Sequence, residues 1–125
     1  MSDLRIDVRA VGPAAIVEPV GLINAHTAKN FETSVQKLLE DKQNRIIINC
    51  RGLEYIASAG LGVIMGFLND VRQGGGDIRL SNMNQTVHNI FDILGFTHFI
   101  QIFESEEQAV QSFQQARKEY GSESI

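Results

Sequence analysis

One short stretch of this chain holds residue types in a spacing that chemistry can use: Tyr55-Ile56-Ala57-Ser58-Ala59-Gly60-Leu61-Gly62-Val63. Ser58 follows a loop and precedes a helical pattern with small residues after it, which is where a helix N-cap belongs. Its hydroxyl can accept a bond from a free N–H of the first turn. Such a position also tolerates an added phosphate, because helix N-termini favour anions. Gly60 and Gly62 each cost ~1 kcal/mol relative to Ala inside a helix, so their presence in a first turn calls for close backbone approach. With the helix starting at Ala59, Leu61, Ile64, Met65, Leu68 and Val71 form the buried stripe. Ser58, Gly62, Gly66 and Asp70 form an i, i+4 row on another face. Val63 points nearly opposite the stripe and Phe67 lies at its edge, so both leave apolar area beside the row. The pattern is a docking groove that ends in a serine.

Other chemistry finds no support in the residues. His26, His88 and His98 are scattered without metal-ligand spacing. Cys50 ends an apolar run with no activating base and reads as a core filler. Gly74-Gly75-Gly76 follows a helix instead of opening one, so it is a cap and turn and not a phosphate-cradling loop. A receiver-type phosphorylation site needs acids at several strand ends, where this chain has Asn24, Asn49 and Ala57. No acid, base or metal constellation remains, so neither an enzyme nor a cofactor is expected.

The elements that position these residues follow from periodicity. Leu4, Ile6 and Val8 alternate with charged residues as a half-buried strand, and Gly12-Pro13 turns into a second strand over 14–20. Residues 21–26 read as a loop. From Thr27 a helix buries Ala28, Phe31, Val35 and Leu38 and turns Lys29, Glu32 and Lys37 outward. Residues 45–50 hold Ile46-Ile47-Ile48, a strand buried on both faces. A loop over 51–58 leads into the Ser58 helix, which runs from Ala59 to Gln73. A short strand over 78–80 and a helix with Val87, Ile90, Phe91 and Leu94 inward follow, stopped by Gly95. A last strand covers 99–103. A capping box of Ser105 and Gln108 then opens a helix burying Ala109, Phe113 and Ala116. The order is ββαβαβαβα: one α/β domain over 1–120 with a mixed sheet and four helices, and a frayed tail over 121–125.

The 125 residues are 43% hydrophobic and 21% charged, with formal net charge −4. That balance builds a core and argues against binding a nucleic-acid backbone. No apolar run reaches the ~20 residues of a membrane span. The opening Met1-Ser2-Asp3-Leu4-Arg5 lacks a basic-then-apolar leader and the single cysteine precludes an internal disulfide, so a cytoplasmic setting is expected. Self-association is left open.

The element order, with Gly21-Leu22-Ile23-Asn24-Ala25-His26-Thr27-Ala28 and Ala57-Ser58-Ala59-Gly60-Leu61-Gly62, resembles the bacterial anti-sigma factor antagonists of the STAS class. Ile93-Leu94-Gly95-Phe96 and Phe99-Ile100-Gln101-Ile102-Phe103 resemble that family's third helix and last strand. The resemblance covers about Leu4 to Ala116. It implies a domain that sequesters an anti-sigma factor, itself a serine kinase, and so frees a sigma factor. It further implies that the kinase phosphorylates Ser58 to end the partnership and that a PP2C-type phosphatase restores it. The partner-binding residues would be Asn24, Ala57, Ser58, Ala59, Gly60, Gly62, Val63, Gly66 and Phe67. The family commonly has Asp where this chain has Asn24, Asn49 and Ala57, which bears on the kinase step. A second reading is an unphosphorylated scaffold, or a STAS-type domain that binds a small ligand or nucleotide.

Overall fold

The computed structural model describes residues 3–123. Its two halves are built around β2 (Ala14–Ile23), which pairs antiparallel with β1 (Leu4–Val11) from Leu4 opposite Gly21 to Val11 opposite Ala14. Gly12, at φ 57°, makes the turn between them, a conformation that glycine adopts freely. Residues 15–17 of β2 pair in parallel with β3 (Arg45–Asn49), which pairs with β5 (Asp77–Ser81), which pairs with β6 (Ile102–Phe103). The far end of β2 pairs instead with β4 (Leu53–Ile56). Helices α1 (Ala28–Glu40), α2 (Ser58–Gln73) and α3 (Gln85–Ile93) connect β2 to β3, β4 to β5 and β5 to β6, and α4 (Glu106–Glu123) follows β6.

Strand alternation assigns the two faces. Ala15, Val17, Ile46, Ile48, Ile78 and Leu80 meet α1, α2 and α3 in the main core. Ala14, Ile16 and Ile47 meet Ala109, Val110 and Phe113 of α4 on the other side. The isoleucine run of β3 is thus buried on both faces, as its sequence predicts. The expected inward residues of α1, Ala28, Phe31, Val35 and Leu38, are also buried.

Several elements differ from the sequence expectation. Residues 53–56, expected as loop, form β4 because they pair in parallel with the far end of β2; Leu53 and Ile56 are buried with Glu54 and Tyr55 exposed between them, so the segment shows no period-2 alternation. β2 continues to Ile23 where a loop was expected: Gly21 at φ 117° absorbs a register shift and lets the strand resume against β4. A Cβ at Gly21 would lie 2.1 Å from the Asp3 carbonyl oxygen. The last strand is only Ile102–Phe103; residues 96–98 form a 3-10 turn and Phe99 is exposed. Leu94 is 54% exposed and not inward. The helix ends at Ile93 and Gly95 turns left-handed, so the chain swings Leu94 out and brings Phe96 edge-on to Phe91, with ring centres 6.3 Å apart. Ser105 caps α4 by accepting from the Gln108 N–H, while Gln108 Oε1 accepts from the N–H of Glu104, one residue before the cap. Ala109 and Phe113 are buried. The Ala116 side chain lies outside the described residues, as do Ser124 and Ile125, and α4 runs three residues past the expected stop, to Glu123.

The α4 side of the sheet ends in a polar network. Glu18, only 9% exposed, accepts from Arg9 Nη1 at 2.9 Å and from Arg51 Nη2 at 3.1 Å. Arg9 also pairs with Glu106 at the start of α4. Asn49 Nδ2 donates to Glu106 Oε1 at 2.9 Å, and Asn49 Oδ1 accepts from the Arg51 N–H. Burial pushes the Glu18 carboxyl up, but the Arg9 and Arg51 hydrogen bonds and charges outweigh it and hold the carboxyl below its ordinary range. The sign follows. A depressed folded-state value makes the contribution fully present above the ordinary carboxylate range and lost as pH falls through the folded value. Glu18→Gln is therefore expected to destabilise the domain by about 1–3 kcal/mol at pH 7. The gap to wild type should close at acid pH, where both side chains are neutral. Urea unfolding of both proteins across pH 7 to 3 measures this, and a pH-independent gap would contradict the assignment.

Candidate functional site

Two parallel strand ends bring the sequence-selected segments together. The Ala57 N–H donates to the Ile23 carbonyl at 2.8 Å, which seats the start of α2 beside the turn that follows β2. In that turn Asn24 Oδ1 accepts from the N–H groups of His26 and Thr27, at 2.9 and 3.1 Å. Thr27 Oγ1 accepts from the Asn24 N–H and donates to the Leu22 carbonyl at 2.7 Å. Asn24 thus builds an Asx-type turn leading into α1. Its amide oxygen supplies the acceptor that a carboxylate would, without the charge.

Ser58 is not the N-cap. The cap is Ala57, extended at ψ 169°, whose carbonyl accepts from the N–H groups of Gly60 and Leu61. The strand-to-strand bond holds Ala57 in extended backbone, so the helix begins one residue earlier than the serine pattern implies. Ser58 is the first helical residue. It is exposed, and its side chain makes no capping bond. The hydroxyl stands free at the positive end of a 16-residue helix. Ala59 is exposed beside it and Ala57 half-buried.

The glycines separate by role. Gly60 is buried, and a Cβ there would stand 2.5 Å from Ile23 Cγ2 and 2.8 Å from Ile56 Cγ1. The close approach expected for the first turn is real, but it is made to the protein's own strands. Gly60 therefore leaves the set of surface residues. Gly62 and Gly66 are exposed, with nothing within 4 Å of a Cβ on either. Val63 does not point away from the core: Val63, Met65 and Phe67 are all half-buried and packed against it. The reason is α1, which lies alongside α2 and covers a flank that a solitary helical wheel leaves open. Glu to replace Val63 would therefore cost stability as well as any binding.

Between the two helices runs a groove lined by Glu32, Gly62, Val63, Gly66, Phe67 and Asp70. Glu32 was legible only as an outward residue of α1, because no local pattern reveals which helix lies next to it. Tyr55, 46% exposed on β4 three residues before Ser58, carries no sequence signal of its own because a four-residue strand shows no period.

Asn49 does not join this site. Its bonds to Glu106 and Arg51 place it on the α4 side of the sheet, where a carboxylate would face Glu106. The loop after β5 is likewise occupied structurally: Asn84 caps α3 through the Val87 N–H and ties it to the Leu53 carbonyl. Cys50 is wholly buried and its thiol is pushed up to about 12 by burial, which removes thiolate chemistry near neutral pH. Among the described residues no three His, Cys, Asp or Glu side chains gather as a metal site, and no helix is long and apolar enough to cross a membrane.

Residues 5–109 match the STAS domain, and the chain belongs to that family. It is 26% identical over 109 residues to an anti-sigma F factor antagonist from Paenibacillus polymyxa, an alignment that covers 86% of this chain and 93% of that one. It is 28% identical to the anti-sigma-B factor antagonist of Bacillus subtilis, covering 87% of this chain and 99% of that one. The fold superposes on the anti-sigma factor antagonist SpoIIAA in its unphosphorylated form with a TM-score of 0.76 at 19% identity, over 88% of this chain and 96% of that one. The Bacillus cell fate determinant SpoIIAA in its phosphorylated form gives 0.68 at 18% identity, over 87% of this chain and 99% of that one.

The division among the glycines is directly testable. Gly60→Ala forces a methyl into Ile23 and Ile56 and is expected to destabilise by about 1–3 kcal/mol. Gly66→Ala meets no neighbour and should stabilise by about 0.5–1 kcal/mol through helix propensity. Denaturant midpoints of the two variants measure both, and the same sign for both would refute the division.

Proposed function

We propose that this chain is a partner-switching regulator, an antagonist that sequesters an anti-sigma factor and so releases a sigma factor. The observation that carries the reading is Ser58: an exposed hydroxyl, engaged in no cap, at the positive start of α2. In this reading the partner is a serine kinase, it phosphorylates Ser58, and a PP2C-type phosphatase reverses the mark. The docking surface comprises Asn24, Ala57, Ser58, Ala59, Gly62 and Gly66, with Val63 and Phe67 forming an apolar flank. The relatives named as anti-sigma factor antagonists support the partner class, and the two forms of SpoIIAA support a phosphorylation step. The protein acts in the cytoplasm, on protein partners, without catalysis and without touching nucleic acid itself.

The physics of the switch is an asymmetry between two environments. A phosphoryl group adds about −1.5 to −2 charges at neutral pH. On the free domain it lies over unpaired first-turn N–H groups, which favour it. Against a partner surface it must lose water, at a cost of several kcal/mol unless a cation answers it. Even ~3 kcal/mol is more than a hundredfold in affinity. The missing charges at Asn24 and Ala57 make this end of the domain less acidic before phosphorylation, so the phosphate itself supplies the contrast.

Titration calorimetry against an anti-sigma factor from the same genome tests the reading. Ser58→Ala should bind as wild type does, and Ser58→Asp should bind at least about a hundredfold more weakly. All three proteins should unfold within ~0.5 kcal/mol of each other, because Ser58 is a surface residue and not a cap. Equal affinities for the three would favour the constitutive scaffold instead.

A further inference from the structure

We propose that the groove between α1 and α2 receives an arginine side chain of the docked partner, an assignment that rests on the partner-binding reading above. The floor of the groove is apolar, formed by Val63 and Phe67, which are half-buried against the core. Its outer side is open along Gly62 and Gly66, where not even a Cβ intrudes. Its polar lining is acidic on both helices, with Glu32 on α1 and Asp70 on α2. Lys29 pairs with Glu32 at 3.2 Å from a side chain 81% exposed. Asp70 is exposed, and its carboxylate has no hydrogen-bond or ion-pair partner within the described residues, while its backbone carbonyl accepts from the Gly74 N–H. Residues 58–71 of α2 contain no lysine or arginine, and Asp70 is their only charged residue. An apolar trough ending at an unanswered carboxylate is complementary to a long side chain with an apolar stem and a cationic head.

Arginine fits these terms better than lysine. Its stem can lie over Val63. Its planar head can stack on the Phe67 ring and meet the Asp70 carboxylate through two parallel N–H bonds. An apolar occupant would strip water from Asp70 and return no bond. The contact is also separable from the switch. Ser58 and Asp70 are twelve helical residues apart, roughly 18 Å at about 1.5 Å per residue. That exceeds the screening length of ~8 Å at physiological salt. The groove therefore contributes affinity and register without sensing the phosphate, and the two effects should add.

The test uses the folded chain with a probe that needs no partner. Nα-acetyl-arginine amide is titrated while the amide signals of Gly62 and Gly66 are followed by NMR, with the neutral isostere Nα-acetyl-citrulline amide beside it. Saturable shifts are expected with arginine only, weakened severalfold by about 0.5 M salt. They should vanish in Asp70→Lys, whose unfolding transition should match wild type. Equal responses to the two probes, or none to either, overturn the assignment. In a second arm, an anti-sigma factor that binds wild type should bind Asp70→Lys about tenfold more weakly, with Ser58→Ala unaffected. Loss of binding in Ser58→Asp with full affinity in Asp70→Lys overturns the groove and leaves the switch standing. Failure of wild type to bind any anti-sigma factor removes the partner reading, and the groove assignment with it.

Discussion

The switch end of this domain depends on one contact region, where the Ala57 N–H meets the Ile23 carbonyl and Gly60 settles over Ile23 and Ile56. The hydrogen bond holds Ala57 extended, so α2 starts from a fixed point on the sheet. The bare glycine then lets the first turn lie closer to the strands than any side chain permits. Together they aim the first helical residue outward. Were α2 to start one residue later, as a serine cap would have it, Ser58 would spend its hydroxyl on the helix and not be free for a partner or a modifying enzyme.

β2 makes this arrangement possible by serving two neighbours in succession. Its first half pairs with β3 in the centre of the sheet, and beyond Gly21 it pairs with β4. The positive φ of Gly21 is where the strand changes partner, and only a residue without a side chain can pass the Asp3 carbonyl there. The consequence is functional. Asn24 and Ser58 end up on adjacent strand ends although 34 positions separate them in the chain.

The two faces of the sheet have separate duties. The α1–α3 side carries the groove and the exposed serine. The α4 side is fastened by Arg9, Glu18, Arg51, Asn49 and Glu106, a network in which each partly buried charge has an opposite partner or a neutral donor. Asn49 shows why the polar residues at strand ends cannot be treated as one set. Its amide is needed because it donates to Glu106, a task an acid at that position could not perform. Asn24 keeps the acceptor geometry of its turn and surrenders only charge, so the electrostatics of the docking end differ while its shape does not.

Much of this was legible in the residues themselves. Buried strands announce themselves by β-branched runs, helices by a 3.6-residue period, and turns by glycine, because each is a local steric preference. The α/β class, the four helices, the inward face of α1 and the position of Ser58 at the start of α2 all follow from such preferences. What they could not supply was set by neighbours distant in sequence. β4 is a strand because β2 offers it an edge, and four residues carry too little pattern to say so. Gly60 faces inward and Gly62 outward because Ile23 and Ile56 lie beneath one of them. Val63 and Phe67 are half-covered because α1 lies alongside, and Leu94 is exposed because Phe96 takes its place against Phe91. Local chemistry decides which of the longer elements form. Which atoms each element presents to a partner depends on packing between segments far apart in the chain, and only the tertiary structure holds that information.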